Sequence, residues 1–251
     1  MIPDTLFIIP YRDRETHKRF FIRHMAYIME DIDPESYKIF FIHQQDDEPF
    51  NRGAMKNIGF LVGKKLYPND YRNITFVFHD IDTFPFEKNT LNYKTTENVV
   101  KHFYGFTFTL GGIVSILGSD FEKINGFPNF WSWGYEDNTL QDRVLSHNMK
   151  IDRSVFYPIL NQDFMHLHHG AFRDVNPQEK IRYKSKTDEG LSDVTLNDYN
   201  IDDKVMVNVT SFKTKYLPRK DLQTTKALGV PEPPSPLMRM NMTTNWKKSK
   251  R

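Results

Sequence analysis

The sequence contains no cysteine, which excludes a disulfide framework and any thiolate metal site. It also has no large excess of one charge, since 34 Lys and Arg residues balance 32 Asp and Glu residues. A near-neutral balance gives no electrostatic reason to expect nucleic acid or an anionic membrane as a partner. No apolar run is long enough for a membrane span, and residues 1–4 carry no leader pattern. We therefore expect a soluble chain in a reducing compartment, the cytoplasm.

The composition is that of a globular protein with an aromatic core. Aromatic residues make up 14% of the 251 residues, and 21 residues are Phe. A chain of this length can bury one full core. Beyond residue 216 the sequence becomes rich in proline, as in Pro-Glu-Pro-Pro-Ser-Pro at residues 231–236, and it ends in a basic run. We predict one domain over residues 1–215 and a Pro-rich, basic tail over residues 216–251.

Short apolar runs predict the frame of the domain. Residues 6–9, 37–42 and 74–78 are rich in aromatic and β-branched residues, which is typical of buried strands. Between them, residues 15–30 and 55–66 place apolar side chains at helical spacing. The order strand, helix, strand, helix, strand indicates two consecutive βαβ units. We therefore expect an α/β fold with a Rossmann-like, doubly wound sheet.

The strand at residues 74–78 ends in an acidic pair, Asp80 and Asp82. Carboxylates two residues apart in extended chain point the same way, and they repel each other unless a positive group lies beside them. A divalent cation is one such group. The alternative is an acidic loop, because aspartate is a common turn residue.

Two further polar loops follow the other predicted strands. Residues 10–14 read Pro-Tyr-Arg-Asp-Arg, and residues 50–52 read Phe-Asn-Arg. All three loops lie on the carboxyl side of their strands, which is the edge where open α/β sheets bind ligands. Guanidinium groups beside carboxylates suit a nucleotide diphosphate with a metal ion. Taken singly, each arginine is as well explained by solvation, and Phe50 by packing.

Three later motifs carry candidate functional residues. Gly111-Gly112 allows either close approach of the backbone to a ligand or a tight turn. Glu136-Asp137 lies at the predicted start of a helix, where carboxylates are also ordinary capping residues. In Phe-Met-His-Leu-His-His, extended chain places His166 and His168 on one side, a familiar chelating arrangement. The polar segment 170–188 that follows has the character of a mobile lid.

In order, these motifs resemble the β-1,4-galactosyltransferase family. The resemblance runs from about residue 7 to residue 196. It rests on Ile-Pro-Tyr-Arg-Asp-Arg, Phe-Asn-Arg, Asp-Ile-Asp, Gly-Gly-Ile-Val-Ser, Asn-Gly-Phe-Pro-Asn-Phe-Trp-Ser-Trp-Gly-Tyr-Glu-Asp and His-Leu-His. It implies a metal-dependent, inverting glycosyltransferase of the GT-A type, with a mixed sheet in a single catalytic domain.

The resemblance also implies roles for individual residues. The residues expected around the uridine and diphosphate are Pro10, Tyr11, Arg12, Arg14, Phe50 and Arg52. Asp80 is expected near the ribose, Gly112 against the donor and Trp133 against the sugars. Asp82, His166 and His168 are implied as ligands of Mn²⁺. Glu136 is expected to hold a carbohydrate or glycoconjugate acceptor and Asp137 to act as the catalytic base.

The chain departs from the family pattern at several places. Thr109 stands where many members carry a bulky aromatic residue. By the resemblance, a smaller side chain there implies room for an N-acetyl group, so UDP-GalNAc or another UDP-hexose is a candidate donor beside UDP-galactose. Lys180 suits an apolar pocket for the acceptor's N-acetyl group badly. The absence of cysteine and of an anchor favours a cytosolic, microbial or viral enzyme over a trimmed Golgi-type domain.

Two other functions fit part of the pattern. A metal-dependent nucleotidyl or phosphoryl transferase would use the same sheet edge but would not need Trp133, Glu136 or Asp137. A catalytically silent sugar-binding module would need neither Glu136-Asp137 nor the paired histidines. The presence of both motifs favours a transferase of sugars.

Overall fold

A nine-stranded mixed sheet forms the centre of the protein. The computed structural model describes residues 2–168 and 170–227. Its strands are β1 (Thr5–Tyr11), β2 (Tyr37–Gln44), β3 (Thr75–His79), β4 (Thr83–Pro85), β5 (Val99–Gly105), β6 (Ile113–Leu117), β7 (Lys150–Asp152), β8 (Tyr157–Pro158), β9 (Phe164–His166), β10 (Phe172–Val175), β11 (Thr195–Asp202), β12 (Met206–Lys213) and β13 (Thr224–Ala227). Its α-helices are α1 (Glu15–Ile28), α2 (Arg52–Leu66), α3 (Gly118–Lys123), α4 (Glu136–Ser146) and α5 (Pro177–Lys184).

The main sheet has the strand order β11-β12-β2-β1-β3-β6-β5-β7, with β8 pairing to β5. Strands β2, β1 and β3 are parallel, which confirms the two predicted βαβ units. The sheet becomes mixed beyond them, because β6 is antiparallel to both β3 and β5, and β11 is antiparallel to β12. Two small sheets, β4–β9 and β10–β13, lie outside this path.

Helices α1 and α2 cover opposite faces of the sheet, as a doubly wound fold requires. Alternate side chains of β1 enter two separate apolar clusters, with Leu6 and Ile8 on the face of α2. Phe7 and Ile9 join the residues of α1 on the other face. Because side chains alternate along a strand, a strand buried on both faces must be apolar throughout. This explains why β1 reads as an unbroken hydrophobic run.

Helix α2 packs very closely on the sheet, and this fixes the position of its first turn. A Cβ atom on Gly59 would lie only 2.3 Å from Cγ2 of Ile8. The helix begins at a capped end, since the Asn51 side chain accepts a hydrogen bond of 2.8 Å from the Ala54 amide. Asn51 also donates to the carbonyl of Asn129 at 3.1 Å. The residues of the first α2 turns are therefore held at the carboxyl edge of the sheet.

The predicted tail begins within the folded part of the chain. Strand β13 pairs antiparallel with β10, so Thr224–Ala227 lies beside Phe172–Val175. The Gln223 side chain donates to the carbonyl of Trp131 at 2.5 Å. The lid expected at residues 170–188 contains β10 and α5. The rest of the predicted tail, residues 228–251, lies outside the described residues, as does His169.

Within residues 2–168 and 170–227, no helix combines the length and the apolar character needed to cross a membrane. The cytoplasmic location stays a prediction.

Candidate active site

A cleft of about 420 Å³ opens at the carboxyl edge of the parallel strands. The residues predicted from the sequence that line it are Pro10, Arg12, Arg14, Phe50, Arg52, Asp80, Asp82 and Trp133. The three loops that follow β1, β2 and β3 thus converge, as the topology led us to expect. Residues on the other wall come from later in the chain and include Ser132, Phe172, Arg173, Asp174 and Gln223.

A second cavity of about 660 Å³ adjoins this cleft, and both are lined by Asp13 and Arg14. Tyr11 and His168, two predicted site residues, face the second cavity. The Tyr11 hydroxyl donates to Glu15 at 3.3 Å. Its pKa is raised by burial and by the Glu15 charge. The structure therefore places Tyr11 and His168 beside the first cleft.

Arg12 shapes the wall of the cleft through the loop that follows β2. Its Nε donates to the Gln44 carbonyl at 3.1 Å, and Nη1 donates to the Glu48 carbonyl at 2.5 Å. Nη2 donates to the Asp46 carbonyl at 2.6 Å. Since each guanidinium nitrogen bonds this loop, Arg12 acts here as a support for the loop. A contact from Arg12 to a nucleotide stays a prediction.

Positive charge is concentrated in the cleft by Arg14, Arg52 and Arg173. The pKa of Arg173 is lowered, first by burial and then by the charge of Arg14, with Arg52 acting in the same direction and Asp82 opposing it. Repulsion among neighbouring arginine charges is reduced when an anion binds between them, so this cleft is suited to an anion. Sequence reasoning missed Arg173, because it lies in the segment interpreted as a lid. The signal that could have identified Arg173 was an arginine within the predicted lid, because a lid that closes over a diphosphate can bring a guanidinium group to it.

Arg52 joins the acidic pair of the third strand to the acidic pair of α4. Its Nη2 contacts the Asp80 carboxylate in a short ion pair. Its Nε lies 3.3 Å from Oε1 of Glu136, an ion-pair distance without hydrogen-bond geometry. Burial alone would lower the pKa of Arg52, but the charges of Asp80 and Glu136 outweigh it and raise that pKa. Arg52 thus couples the wall predicted to bind the donor to the wall predicted to bind the acceptor.

The two adjacent carboxylates of α4 have different surroundings. Glu136 is buried, and its pKa is raised by burial first and by the charge of Asp137 second. Asp137 accepts a hydrogen bond of 2.7 Å from Nζ of Lys56, a buried lysine of α2. Two neighbouring carboxyls in unequal environments are a common arrangement for groups with separate acid–base roles. Sequence reasoning missed Lys56, which had no visible signal among the apolar positions of its helix.

The paired glycines lie beneath this acidic pair. A Cβ atom on Gly111 would lie 2.6 Å from Oδ2 of Asp137, so a side chain there would displace the carboxylate. Gly112 has φ +73°, and a Cβ on it would lie 2.3 Å from the Tyr104 carbonyl oxygen. Its own carbonyl accepts a hydrogen bond of 2.9 Å from the Asp80 amide. Both glycines are thus required by close packing, and a direct contact of Gly112 with a donor stays a prediction.

A buried histidine supports the glycine loop. His102 Nε2 lies 3.0 Å from the carbonyls of Gly111 and Tyr104, so this nitrogen carries the proton and donates. Nδ1 accepts a hydrogen bond of 3.0 Å from Nε of Arg153. Burial, followed by the charge of Arg153, lowers the pKa of His102 to about 4. His102 is therefore neutral in the folded protein near pH 7.

Acidification is expected to destabilise the fold through His102. The unfolded chain takes up this proton near pH ~6.5, and the folded chain near pH 4. Neutral His102 therefore contributes to the free energy of unfolding in full above pH ~6.5. This contribution, about 3 kcal/mol, is lost as the pH falls from ~6.5 through 4. Urea unfolding at several pH values checks this. We expect His102→Asn to flatten the pH dependence, whereas the exposed His147→Asn should leave it unchanged. An unchanged slope in His102→Asn would contradict the assignment.

The predicted metal ligands come from neighbouring segments. Strand β4 pairs with β9, which places Thr83 opposite His166, and the Leu167 amide donates to the Asp82 carbonyl at 2.7 Å. The Tyr104 hydroxyl lies 3.5 Å from Nδ1 of His166. Carboxylate oxygen and imidazole nitrogen are suitable donors for Mn²⁺. However, no three His, Asp or Glu side chains converge on a metal position in the described part of the chain. The donor types and strand pairing fit the ion, and the three-ligand set stays a prediction.

The two tryptophans of the Trp-Ser-Trp run differ in exposure. Trp131 is buried, and its Nε1 donates to the Tyr216 carbonyl at 2.8 Å. Trp133 is 42% exposed in the cleft. Its amide donates to the Asp174 carbonyl at 2.9 Å, and the Arg173 guanidinium lies 5.9 Å from its ring centroid. An exposed indole at a cleft suits the face of a sugar ring.

A doubly wound mixed sheet with this polar cleft at its carboxyl edge defines a glycosyltransferase fold of the GT-A class. The comparisons agree. The family model described as the N-terminal region of glycosyl transferase group 7 matches residues 3–95. The one described as the N-terminal domain of galactosyltransferase matches residues 93–169.

Relatives and solved structures give the same result. β-1,4-Galactosyltransferase 4 of Cricetulus griseus is 34% identical over 157 residues, which are 58% of this chain and 44% of that protein. β-1,4-Galactosyltransferase 5 of Mus musculus is 28% identical over 204 residues, 77% of this chain and 50% of that protein. The chain thus spans about half the length of these relatives. The catalytic domain of Drosophila β-1,4-galactosyltransferase 7 with xylobiose superposes with a TM-score of 0.64 at 21% identity, covering 83% of this chain and 94% of that one.

A second structure, a mutant of the same Drosophila enzyme with manganese, UDP-Gal and xylobiose, has a TM-score of 0.61 at 20% identity. It covers 83% of this chain and 94% of that one. The chain belongs to the β-1,4-galactosyltransferase family. The predicted family and the predicted GT-A fold are thereby confirmed.

Proposed function

We propose that this protein transfers galactose or N-acetylgalactosamine from a UDP-sugar to a sugar hydroxyl, with inversion and formation of a β-linkage. The observation that carries the proposal is that Arg52, which lines the cleft with Asp80, contacts both Asp80 and Glu136, the neighbour of Asp137. This arrangement joins an arginine-rich wall suited to a diphosphate with a carboxylate pair suited to an acceptor. Family membership supports the same activity.

Asp137 is proposed as the general base. In the transfer step the acceptor hydroxyl gives its proton to the Asp137 carboxylate while its oxygen forms a bond to the anomeric carbon of the donor. The bond from that carbon to the phosphate oxygen breaks, and its electron pair leaves on UDP. Attack from the face opposite UDP gives inversion. The acceptor is itself the nucleophile, so the enzyme contributes the base and the environment of the leaving group.

The arginines of the cleft are proposed to bind the diphosphate. Arg14 and Arg173 approach it from opposite walls, and guanidinium groups are well matched to phosphate oxygens. Their repulsion in the protein alone would be relieved by the bound anion. Arg52 would then orient the donor and Glu136 together. Asp80 is proposed near the ribose, beside its ion pair with Arg52.

Mn²⁺ is proposed as the cofactor, held by Asp82, His166 and His168. A bound divalent ion supplies positive charge to the departing diphosphate. The proposal is supported by the pairing of β4 with β9 and by the donor types. In the Drosophila neighbour, manganese and UDP-Gal occur together with xylobiose.

The acceptor is proposed to be a carbohydrate or a glycoconjugate. Beside Glu136, the rings of Tyr135 and Tyr183 stack at 4.8 Å, and Trp133 presents its indole to the cleft. Such aromatic faces suit sugar rings. Lys180 of α5 is exposed and charged, so it suits an apolar pocket for an N-acetyl group badly. This supports an acceptor that does not bury an N-acetyl group.

We propose that Thr109 influences the choice of donor sugar. This residue is buried. It lies two positions before Gly111, the glycine that packs against the Asp137 carboxylate. A small side chain at this position is consistent with room for an N-acetyl group on the donor. The substitution Thr109→Tyr would fill that room, so we expect it to lower turnover of UDP-GalNAc relative to UDP-galactose by about tenfold or more. Steady-state kinetics with both donors measure this ratio. A ratio that stays constant would contradict the role of Thr109.

One experiment separates the proposed function from its rivals. UDP release is followed over a panel of UDP-sugars, with and without Mn²⁺ and with mono- and disaccharide acceptors. We expect acceptor-dependent release that requires the ion. Release of pyrophosphate or nucleotide transfer would favour a nucleotidyl transferase. Sugar binding without any UDP release would indicate a silent binding module.

A further inference from the structure

Lys56 is an unusual residue for its position in the fold. It lies in α2 between the core residues Met55 and Ile58, and only 2% of its side chain is exposed. Its Nζ lies 4.4 Å from the ring centroid of Phe127 and 2.7 Å from Oδ1 of Asp137. Moving an ammonium out of water is unfavourable, and an apolar side chain of the same length would pack there without that penalty. The fold itself therefore gives no reason for a charge at this position.

The charge is explained by the register between α2 and α4. Arg52 and Lys56 are four residues apart, so they lie on the same face of α2, one turn apart. Glu136 and Asp137 are the first two residues of α4. Arg52 contacts Glu136, and Lys56 contacts Asp137. Two cations on one helix thus meet two carboxylates on another, one pair each.

The contact with Lys56 also fixes the rotation of the Asp137 carboxylate. Oδ1 accepts the hydrogen bond from Lys56, and Oδ2 lies over Gly111. The Leu110 amide donates to the Asp137 carbonyl at 3.1 Å, which holds the backbone of the same residue. With Oδ1 occupied by the ammonium, Oδ2 is the oxygen available to accept a proton.

We propose that Lys56 is a positioning residue of the transferase, which holds the Asp137 carboxylate in place and presents Oδ2 as the base. The inference rests on the proposed function. The acceptor proton moves to Oδ2, the acceptor oxygen bonds the anomeric carbon, and UDP leaves with the electron pair of the broken bond. The charged and titratable groups that face Asp137 are Lys56 and Arg52 from α2, Glu136 from α4 and His102 from β5.

Lys56→Met tests the proposal, because methionine keeps the unbranched stem and removes the charge. We expect kcat to fall by about 100-fold, the effect of a misplaced reacting group. The KM for the UDP-sugar should stay within about twofold, since the donor wall is unchanged. The acid limb of the kcat/KM profile should move to higher pH, because no ammonium favours the charged carboxylate. Lys64→Met, on the same helix and paired with Glu122, is the matched control and should behave as wild type.

Two further variants keep the test decisive. Lys56→Arg retains the charge, so it should fold and give a pH profile near that of wild type even if Lys56→Met unfolds. Adding Lys56→Met to Asp137→Asn should have no further effect on kcat, because both act through one group. Wild-type kcat and pH profile in Lys56→Met, or a shifted profile in Lys56→Arg, would overturn the inference while the proposed function stands. A wild-type chain that turns over no UDP-sugar would overturn both.

Discussion

Asp137→Asn is expected to lower kcat by about 10³-fold, because general-base catalysis contributes about 10²- to 10⁴-fold. Asparagine has almost the same shape as aspartate, and its oxygen can still accept the hydrogen bond from Lys56. The amide cannot take the acceptor proton at any usable pH. Binding of UDP should be unchanged, since the arginines and Asp80 on the donor wall are untouched. Single-turnover kinetics and calorimetric titration with UDP measure the two quantities separately.

The matched control is Asp142→Asn, an exposed position on the same helix. It removes the same charge from α4 without reaching the cleft, and we expect wild-type turnover. Asp137→Asn with unchanged kcat would remove Asp137 from the role of base. A loss of UDP binding in Asp137→Asn would show instead that the substitution had disturbed the cleft as a whole.

The parallel half of the fold could be predicted because each of its strands has a recognisable pattern in the local sequence. β1, β2 and β3 are continuous apolar runs, and each is followed by a polar loop at the same edge. Strands β6 and β12 carry weaker local patterns, and their places in the sheet depend on pairing with strands distant in the chain, β3 for β6 and β2 for β12. Likewise, the return of β13 onto β10 joins residues about fifty positions apart, which no local pattern indicates.

The candidate site divides in a similar way. Asp80 and Asp82, and Arg52 at the start of α2, were predicted because each charged motif follows the end of a strand. Lys56 was missed because a lysine at a core position has no distinctive local pattern, and Arg173 was missed because its polar segment was interpreted as a lid. Their importance follows only from what lies opposite them, Asp137 for Lys56 and Trp133 for Arg173. Arg12 shows the reverse case, since a motif arginine proves to be bonded to a loop.

Asp82→Ala is expected to lower kcat/KM by about 10³-fold or more, because metal-ion charge at a leaving group contributes several kcal/mol. Asp82 is buried next to the paired strands β4 and β9, and its loss removes one of the three proposed ligands of the ion. The variant should also lose high-affinity Mn²⁺ binding. Calorimetry or electron paramagnetic resonance with Mn²⁺ alone measures binding without depending on turnover.

The imidazoles are tested in the same assay. We expect the paired change His166→Ala and His168→Ala to reproduce the loss of Mn²⁺ binding, and the exposed His147→Ala to retain it. Because β9 places His166 opposite Thr83, next to Asp82, His166→Ala alone should have the larger effect of the two single changes. If His169→Ala alone abolished binding, the ligand register would be shifted by one residue. If Asp82→Ala and the paired histidine change both kept full Mn²⁺ binding and turnover, the metal would be held elsewhere, and the strand pairing of β4 with β9 would have only a structural role.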